Sequence, residues 1–566
     1  MNFNLLNNLV GLCSRKGLTD AVLCPGSRSA PITLAFLRNK SFTCRTFSDE
    51  RSAAFIALGI AQQKRAPVAL VCTSGSAAYN FAPAISEAFF QHVPLLVLTA
   101  DRPAAWIDQW DGQTIRQTNL YNNHVKKYYE LPVDDPHPDA EWHAERIMNE
   151  AINLSQSGVP GPVHINIPFR EPLYPSGVTP IAESTAKKID LVKTTAMLSD
   201  GQLKSLAGEL NAFRKILIVS GQNDYNDNLG KSLEDFHEKH SWPVVGDILS
   251  NLHGLPFFCR YTDTYLGQVP QAVKESLRPD LIITFGKSLV AKNLKLFLRT
   301  LQPKAHWHVQ PAGESADTFK SLTKIIAVEP EVFFRQFISY PTGGQNQAKD
   351  FEQKWLNQED AVQQTIGDFF RTIGKGEFNL VHDIIHALPM FCNLHLANSM
   401  SVRYANHIGL TSAQGKVRVF SNRGTSGIDG CTSTSLGHAL ASESPNILIT
   451  GDQAFFYDRN AFWHNYKVPN LHIVVLNNHG GLIFNLIDGP SGQPEAEEYF
   501  ITRQTLDARS LAAEFGLVYQ HMPEATLNKF FTSTGNIQIL EIESSQSESK
   551  IQFEAFKNLI RKNYGT

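Results

Sequence analysis

Short β-branched and apolar runs recur along the chain, separated by segments long enough for helices. They fall at residues 21–24, 68–72, 95–99, 163–167, 216–220, 281–285, 447–450, 471–476 and 537–542. Continuous apolarity over a few residues is what a strand covered on both faces requires, and the helix-length segments between supply the covering layers. The pattern therefore predicts βαβ units, an α/β fold class and doubly wound parallel sheets. The opening stretch MNFNLLNNLVGLCSRKGL lacks a basic region ahead of its apolar residues and reads as an amphipathic first helix instead of a signal peptide.

Two stretches rich in Pro, Gly, Ser and Thr read as linkers: PLYPSGVTPIAESTAKK at 172–188 and SYPTGGQNQAKD at 339–350. They divide the chain into three expected domains, 1–184, 190–340 and 350–566. The first and third show no sequence repeat, which leaves a shared fold open. The acidic, Ser-rich segment 541–548 reads as a solvated loop.

Composition removes several classes. With 51 Lys+Arg against 54 Asp+Glu and a net charge of −3, there is no basic field for a dedicated nucleic-acid binder. No apolar run has the length of a membrane span. The seven cysteines are scattered and never spaced as C-x-x-C, which excludes a disulfide framework and a thiolate zinc site and points to a reducing cytoplasm.

Several predicted strands run straight into small or polar residues: Pro25-Gly26-Ser27, Thr73-Ser74-Gly75-Ser76, Ala100-Asp101, Gly221-Gln222, Gly451-Asp452 and Asn477-Asn478. In open parallel sheets ligands bind outside the carboxyl ends of strands, so chemistry is expected at these tips. The segment ILITGDQAFFYDRNAFWHNYKVPNLHIVVLNNHGGLIFN carries two of them on one sheet edge. Mg²⁺ takes oxygen ligands and commonly shares its shell with phosphates and water. Asp452, the Asn478 side chain and the Gly480 carbonyl can supply three oxygens, and the amino end of the helix after Gln453 adds amide donors toward a diphosphate. Either piece alone reads equally well as a turn or a glycine loop; the two together point to a metal–diphosphate site.

This pairing resembles the diphosphate-anchoring motif of thiamine diphosphate enzymes, Gly-Asp-Gly followed one helix later by Asn-Asn, with Gln453 in place of the last glycine. The resemblance implies three domains of the thiamine diphosphate-enzyme type. It implies cofactor contacts from Ser399, Ile428, Gly451, Asp452, Gln453, Asn478, Gly480 and Ile483, with Mg²⁺ or Mn²⁺ on Asp452, Asn478 and Gly480. Ile428 would prop the bent cofactor, although packing in a core accounts for it equally well. The family also has a glutamate on another domain. In TFSDERSAAFIALGIAQQ, Ser48 is the expected N-cap and Glu50 stands in the first turn. A helix dipole alone favours an acid there. The small residues Ala53, Ala54, Ala57, Gly59 and Ala61, however, predict a closely packed helix in which a carboxyl's pKa is raised and a proton can be shared with a ring nitrogen. Glu50 would then be the catalytic group. Because the two halves of such sites normally come from different subunits, the resemblance implies a homodimer or homotetramer with active sites at the subunit interface.

Guanidinium groups clamp planar carboxylates through bidentate bonds. Arg28, Arg102, Arg403 and Arg423 stand on loops at strand tips, which predicts a substrate with several carboxylates. Within the family, CPGSRSAP, SDERSAAFIALG, TSGSAAYN, LTADRP, HINIPFREPLY, NSMSVR, SNRGTSGIDG and NNHGGLIF resemble the branch that decarboxylates 2-oxoglutarate and adds the succinyl carbanion equivalent to isochorismate in menaquinone biosynthesis. The match is weak in the middle block. It implies that Ser27, Arg28, Arg102, Gln113, Lys292, Ser399, Arg403 and Arg423 hold the two substrates. Ile483, Phe484 and Ile487 would form an apolar wall that excludes water; an amphipathic helix packed on the core explains those three as well. Gly112 and Asn293 depart from the branch, where an asparagine and an arginine are expected. The middle block, from KILIVSGQND to LIITFGKSLVAKN, reads as a Rossmann-like unit without G-x-G-x-x-G and is expected to hold no cofactor. Two other readings stay open: a thiamine diphosphate enzyme acting on 2-oxoglutarate or pyruvate alone, and an inactive cofactor-binding regulatory protein.

Overall fold

The computed structural model describes residues 3–133, 135–174, 184–340, 345–372, 376–487, 489–522, 527–532 and 534–564. The first sheet contains β1 (Asp20–Leu23), β2 (Thr43–Thr46), β3 (Val68–Cys72), β4 (Leu95–Asp101), β5 (Tyr128–Glu130) and β6 (Val163–Pro168). The second contains β7 (Ile216–Ser220), β8 (Val244–Gly246), β9 (Phe258–Cys259), β10 (Leu281–Phe285), β11 (Ala305–Val309) and β12 (Lys324–Ile326). The third contains β13 (Asn393–Leu396), β14 (Arg418–Phe420), β15 (Asn446–Gly451), β16 (Leu471–Asn477), β17 (Val518–His521) and β18 (Gln538–Glu543).

Each apolar run lies in a strand to within one residue. The strands the pattern did not reveal are very short or at a sheet edge, as with β2, β5, β8, β9, β12, β14 and β17, or carry histidines that interrupt the apolarity, as in β11 (AHWHV) and β13 (NLHL). All described strand pairs are parallel, so the α/β reading holds. The first and third sheets share one order, β2-β1-β3-β4-β6-β5 and β14-β13-β15-β16-β18-β17; the two blocks thus share a fold despite showing no repeat. The second sheet runs β12-β11-β10-β7-β8-β9, all parallel, with the strand order switching sides between β7 and β10. A cavity of about 800 Å³ lies at that switch, lined by residues that include Phe285, Lys287 and His308.

Sheets one and three are joined by the helices Glu50–Lys64 and Cys431–Leu440. A Cβ on Gly59 would come within 2.1 Å of the Thr434 carbonyl oxygen, so only glycine allows this approach. One buried core runs through both blocks, from Phe55 and Leu58 to Leu436 and Phe455, and a second joins the middle block to the third through Trp355 and Tyr404.

Three readings require correction. Asp49, not Ser48, caps the helix Glu50–Lys64: its carboxylate accepts from the Ser52 amide at 3.0 Å, because Asp49 is the last residue in extended backbone. Residues 541–548 are not a solvated loop. Glu541 lies in β18, is 1% exposed, and accepts bonds from Asn477, Ala508 and Tyr519, while the helix Gln546–Lys562 starts beyond it. From Gln345 onward the second supposed linker is helical, in Gln345–Thr372, whose Phe351 and Trp355 are buried. Of the first linker, residues 175–183 lie outside the described residues, and its end is tied to the first block through Arg15 and Ser184. Among the described residues no helix is long and apolar enough to cross a membrane, and all seven cysteines are unpaired.

Candidate functional site

Parallel strands end their apolar stretch where the chain must turn into a helix, so polar side chains collect at the carboxyl edges. In sheet three, four neighbouring strands, β14, β13, β15 and β16, end just before Arg423, Ser399 with Arg403, Asp452, and Asn478. In sheet one the equivalent strands β2, β1, β3 and β4 end before Glu50, Ser27 with Arg28, Ser74, and Arg102. The two sheets thus offer two half-sites built on the same four positions.

In the oxygen-rich half, Gly451 ends β15 and caps the short helix Asp452–Tyr457. Asp452 is 2% exposed, burial holds its carboxyl above the usual range, and Gln504 Nε2 donates to its Oδ2 at 2.7 Å. The same Gln504 amide donates to Asn477 Oδ1 at 3.1 Å, tying the two strand tips together. Asn478 is buried; its Nδ2 donates to Glu377 Oε1 at 3.1 Å and its Oδ1 accepts from Gln546 Nε2 at 3.1 Å. Burial pushes the Glu377 carboxyl up to about 7. Gly480 has φ +156°, and a Cβ there would lie 2.9 Å from the Ile501 carbonyl oxygen, so the turn behind Asn478 needs glycine. Gln453, in the place of a glycine, turns its side chain away to the Thr502 carbonyl at 3.0 Å.

Ser399 caps the helix Met400–Ile408 at φ +75°, a strained conformation for serine of the kind that collects at functional sites. Its carbonyl accepts from Arg403 at 2.5 Å, and Arg423 donates to Asn398 Oδ1 at 2.8 Å. Both guanidiniums are mostly buried and electrostatically coupled, and burial lowers both pKa values; Arg423 Nε has no partner. Lys295, which the sequence reading missed, adds a third cation beside Arg423. Lys292 is exposed at the start of the helix Lys292–Leu301. The next side chain, Asn293, is half-buried, and its Nδ2 donates to the Asp263 carbonyl at 2.8 Å. Ile428 is 37% exposed, not packed in a core. Ile483, Phe484 and Ile487 are half-buried, Ile483 against the core and Phe484 against Phe500.

In the first half, Arg28 is 8% exposed, donates to the Phe169 carbonyl at 2.9 Å and leaves Nε without a partner. Arg102 bonds Asp111 Oδ2 at 2.5 Å, Ser74 Oγ at 2.6 Å and the Gln113 carbonyl at 3.2 Å. The pairing holds the Asp111 carboxyl below its usual range. Ser27 and Gln113 are exposed. Glu50 is half-exposed, at the first position of a helix whose following residues are buried, and its carboxyl accepts no hydrogen bond and pairs with no cation among the described residues.

The comparisons with known proteins agree with this geometry. Residues 3–120 match the family described as thiamine pyrophosphate enzyme, N-terminal TPP binding domain, and residues 207–396 match the middle domain of thiamine pyrophosphate. The chain is 46% identical over 555 residues, 97% of each chain, to the 2-succinyl-5-enolpyruvyl-6-hydroxy-3-cyclohexene-1-carboxylate synthase of Cytophaga hutchinsonii. The chain belongs to this synthase family. Synthases of the same name from Flavobacterium psychrophilum (38% over 560 residues, 98% of each chain) and Bacteroides fragilis (37% over 532 residues, 91% of this chain and 90% of the relative) are also similar. Synthase similarity thus extends through the middle block, where the short motifs gave little sign of it. The cofactor class is thiamine diphosphate, on the match to its N-terminal binding domain.

Proposed function

We propose that the protein carries out the reaction for which its relatives are named, consuming 2-oxoglutarate and isochorismate and releasing CO₂ in menaquinone biosynthesis. One observation carries this reading: Arg423, Arg403, Asp452 and Asn478 follow the four neighbouring strands β14, β13, β15 and β16, so two mostly buried guanidiniums, Arg423 with its Nε unpartnered, share one sheet edge with the two oxygen donors. That arrangement suits a polyanionic substrate next to a metal-bound diphosphate.

The residues fit the implied groups. Asp452, the Asn478 amide and the Gly480 carbonyl are hard oxygen donors of the kind Mg²⁺ or Mn²⁺ takes, and among the described residues no cluster of three His, Cys, Asp or Glu side chains offers a rival site. Thiamine diphosphate, when bound, supplies the carbon acid that takes up the 2-oxo acid and stabilises the electron pair left by loss of CO₂. Glu50 would hold a proton at the aminopyrimidine ring nitrogen, the role its unpaired carboxyl suits. Ile428 would support the bend of the cofactor, and Gly451, Gln453 and Ser399 would line it with main-chain groups. Arg28, Arg102, Arg403 and Arg423, with Ser27, Gln113, Ser399 and Lys292, would bind the carboxylates and hydroxyls of the substrates. Ile483, Phe484 and Ile487 would keep water from the reacting carbon.

The whole site would need two chains, Glu50, Arg28 and Arg102 from one and Asp452, Asn478, Arg403 and Arg423 from its partner, in a homodimer or homotetramer. Support comes from exposed aromatic side chains, among them Trp110 at 103% and Trp463 at 56%. The unpaired cysteines suit a reducing cytoplasm. The test is product identification by mass spectrometry: the product should have the summed mass of the two substrates less CO₂. A product derived from 2-oxoglutarate alone would refute the assignment.

A further inference from the structure

We infer that Glu377 is a positioning residue for the metal: its carboxyl decides which way round the Asn478 amide sits, so that oxygen and not nitrogen faces the cation. The inference rests on the reading that Asp452 and Asn478 hold that metal.

The two ends of an asparagine amide have nearly the same shape, and only the oxygen can bind a cation. Something must therefore discriminate them. Asn478 Nδ2 donates to Glu377 Oε1 at 3.1 Å, and Ser544 Oγ donates to the same oxygen at 3.3 Å. Because Glu377 Oε1 already accepts the Ser544 hydroxyl, it is the accepting oxygen of the carboxyl whether or not the other oxygen carries a proton, and a flipped amide would set its own oxygen against it in a buried site, leaving two acceptors opposed. Glu377 is 0% exposed although it is the first residue of the helix Glu377–His386, where an acid serving only the helix dipole would sit in water.

The opposite side is fixed too. Gln546 Nε2 donates both to the Asn478 main-chain carbonyl and to Asn478 Oδ1, each at 3.1 Å, while its own Oε1 accepts from Asn485 Nδ2 at 2.8 Å. The Asn478 oxygen thus faces a donor that can give it up to a cation and still keep the main-chain bond. Asp452 is held comparably by Gln504. Glu377 comes from a segment with no cofactor motif and reaches Asn478 only through the fold.

The experiment measures Mn²⁺ dissociation constants by electron paramagnetic resonance on the full-length protein with saturating thiamine diphosphate, and thermal midpoints without metal or cofactor. Glu377→Leu should weaken Mn²⁺ binding by about 10- to 100-fold, the usual cost of losing a group that orients a ligand. Wild-type affinity in that variant would overturn the inference. The double variant Glu377→Gln/Asn478→Asp reverses donor and acceptor across the same bond, and should bind Mn²⁺ at least about tenfold more tightly than Asn478→Asp alone, where two carboxyls oppose each other. Equal affinities would also overturn the inference, and this comparison stands even if Glu377→Leu does not fold. Asn478→Ala separates the two claims: retained affinity there removes the metal reading and this inference with it, whereas lost affinity beside an unaffected Glu377→Leu removes only this inference.

Discussion

Gly59 and Gly437 cross with no side chain between them: a Cβ on Gly437 would stand 3.0 Å from the Gly59 Cα and 2.2 Å from the Ile56 carbonyl oxygen. The helix that starts with Glu50 is thereby fixed against the helix that follows Ile428. Gly437→Ala should destabilise the protein by about 1–3 kcal/mol, the typical cost of overpacking a tight core. Chemical denaturation checks this, and an unchanged midpoint would show that the helices can separate at little cost.

Glu50→Gln should lower turnover by roughly 10²- to 10⁴-fold, the worth of a placed proton-transfer group. The thermal midpoint should hardly move, since the carboxyl makes no bond among the described residues. Steady-state kinetics with saturating cofactor decide it; wild-type turnover would remove Glu50 from the chemistry.

Asp452→Ala should abolish metal-dependent binding of thiamine diphosphate, because it deletes the only carboxylate of the proposed oxygen set. Isothermal titration with and without Mg²⁺ reads this directly. Normal affinity would move the metal elsewhere.

Arg403→Ala and Arg423→Ala should each raise KM for a carboxylate substrate more than they weaken cofactor binding. Arg403 bonds the Ser399 carbonyl and Arg423 bonds Asn398 Oδ1, and Arg423 Nε is unpartnered. Comparing KM with the cofactor dissociation constant separates the two effects, and an equal rise in both would make these arginines structural.

Glu359 gives a pH test away from the site. Burial pushes its carboxyl up to about 7, although it accepts from the Arg260 and Tyr261 amides and faces the Arg260 guanidinium. Its folded pKa lies above the ordinary value, so its contribution to stability is complete below about 4.5 and is lost as pH rises through about 7. The thermal-midpoint difference between wild type and Glu359→Gln should therefore shift against wild type across that interval. Parallel midpoint curves would contradict it.

What could be read in the sequence was local. Gly451-Asp452 and Asn477-Asn478 announce themselves because a strand, a turn and two oxygen donors are contiguous, and Arg28, Arg102, Arg403 and Arg423 stand out beside their own strand tips. The cap of the helix Glu50–Lys64 was misplaced by one residue, because Ser48 and Asp49 are both good caps and only the backbone decides between them. Glu377, Gln504 and Gln546 were illegible: each reaches the site from a distant segment, and none carries a motif. Asn293 stands where the branch has an arginine, and only the fold shows that its amide is engaged with the Asp263 carbonyl. Glu541 shows the opposite failure, since a charged, Ser-rich stretch looks solvated until the strand that pairs with it is known.

The measurement that tests the central claim most directly follows 2-oxoglutarate and isochorismate together in purified protein with thiamine diphosphate and Mg²⁺, with each substrate alone and with both. The account predicts that the two disappear in equal amounts and only slowly when separated. Rapid loss of 2-oxoglutarate without isochorismate, or no turnover of either, would contradict it.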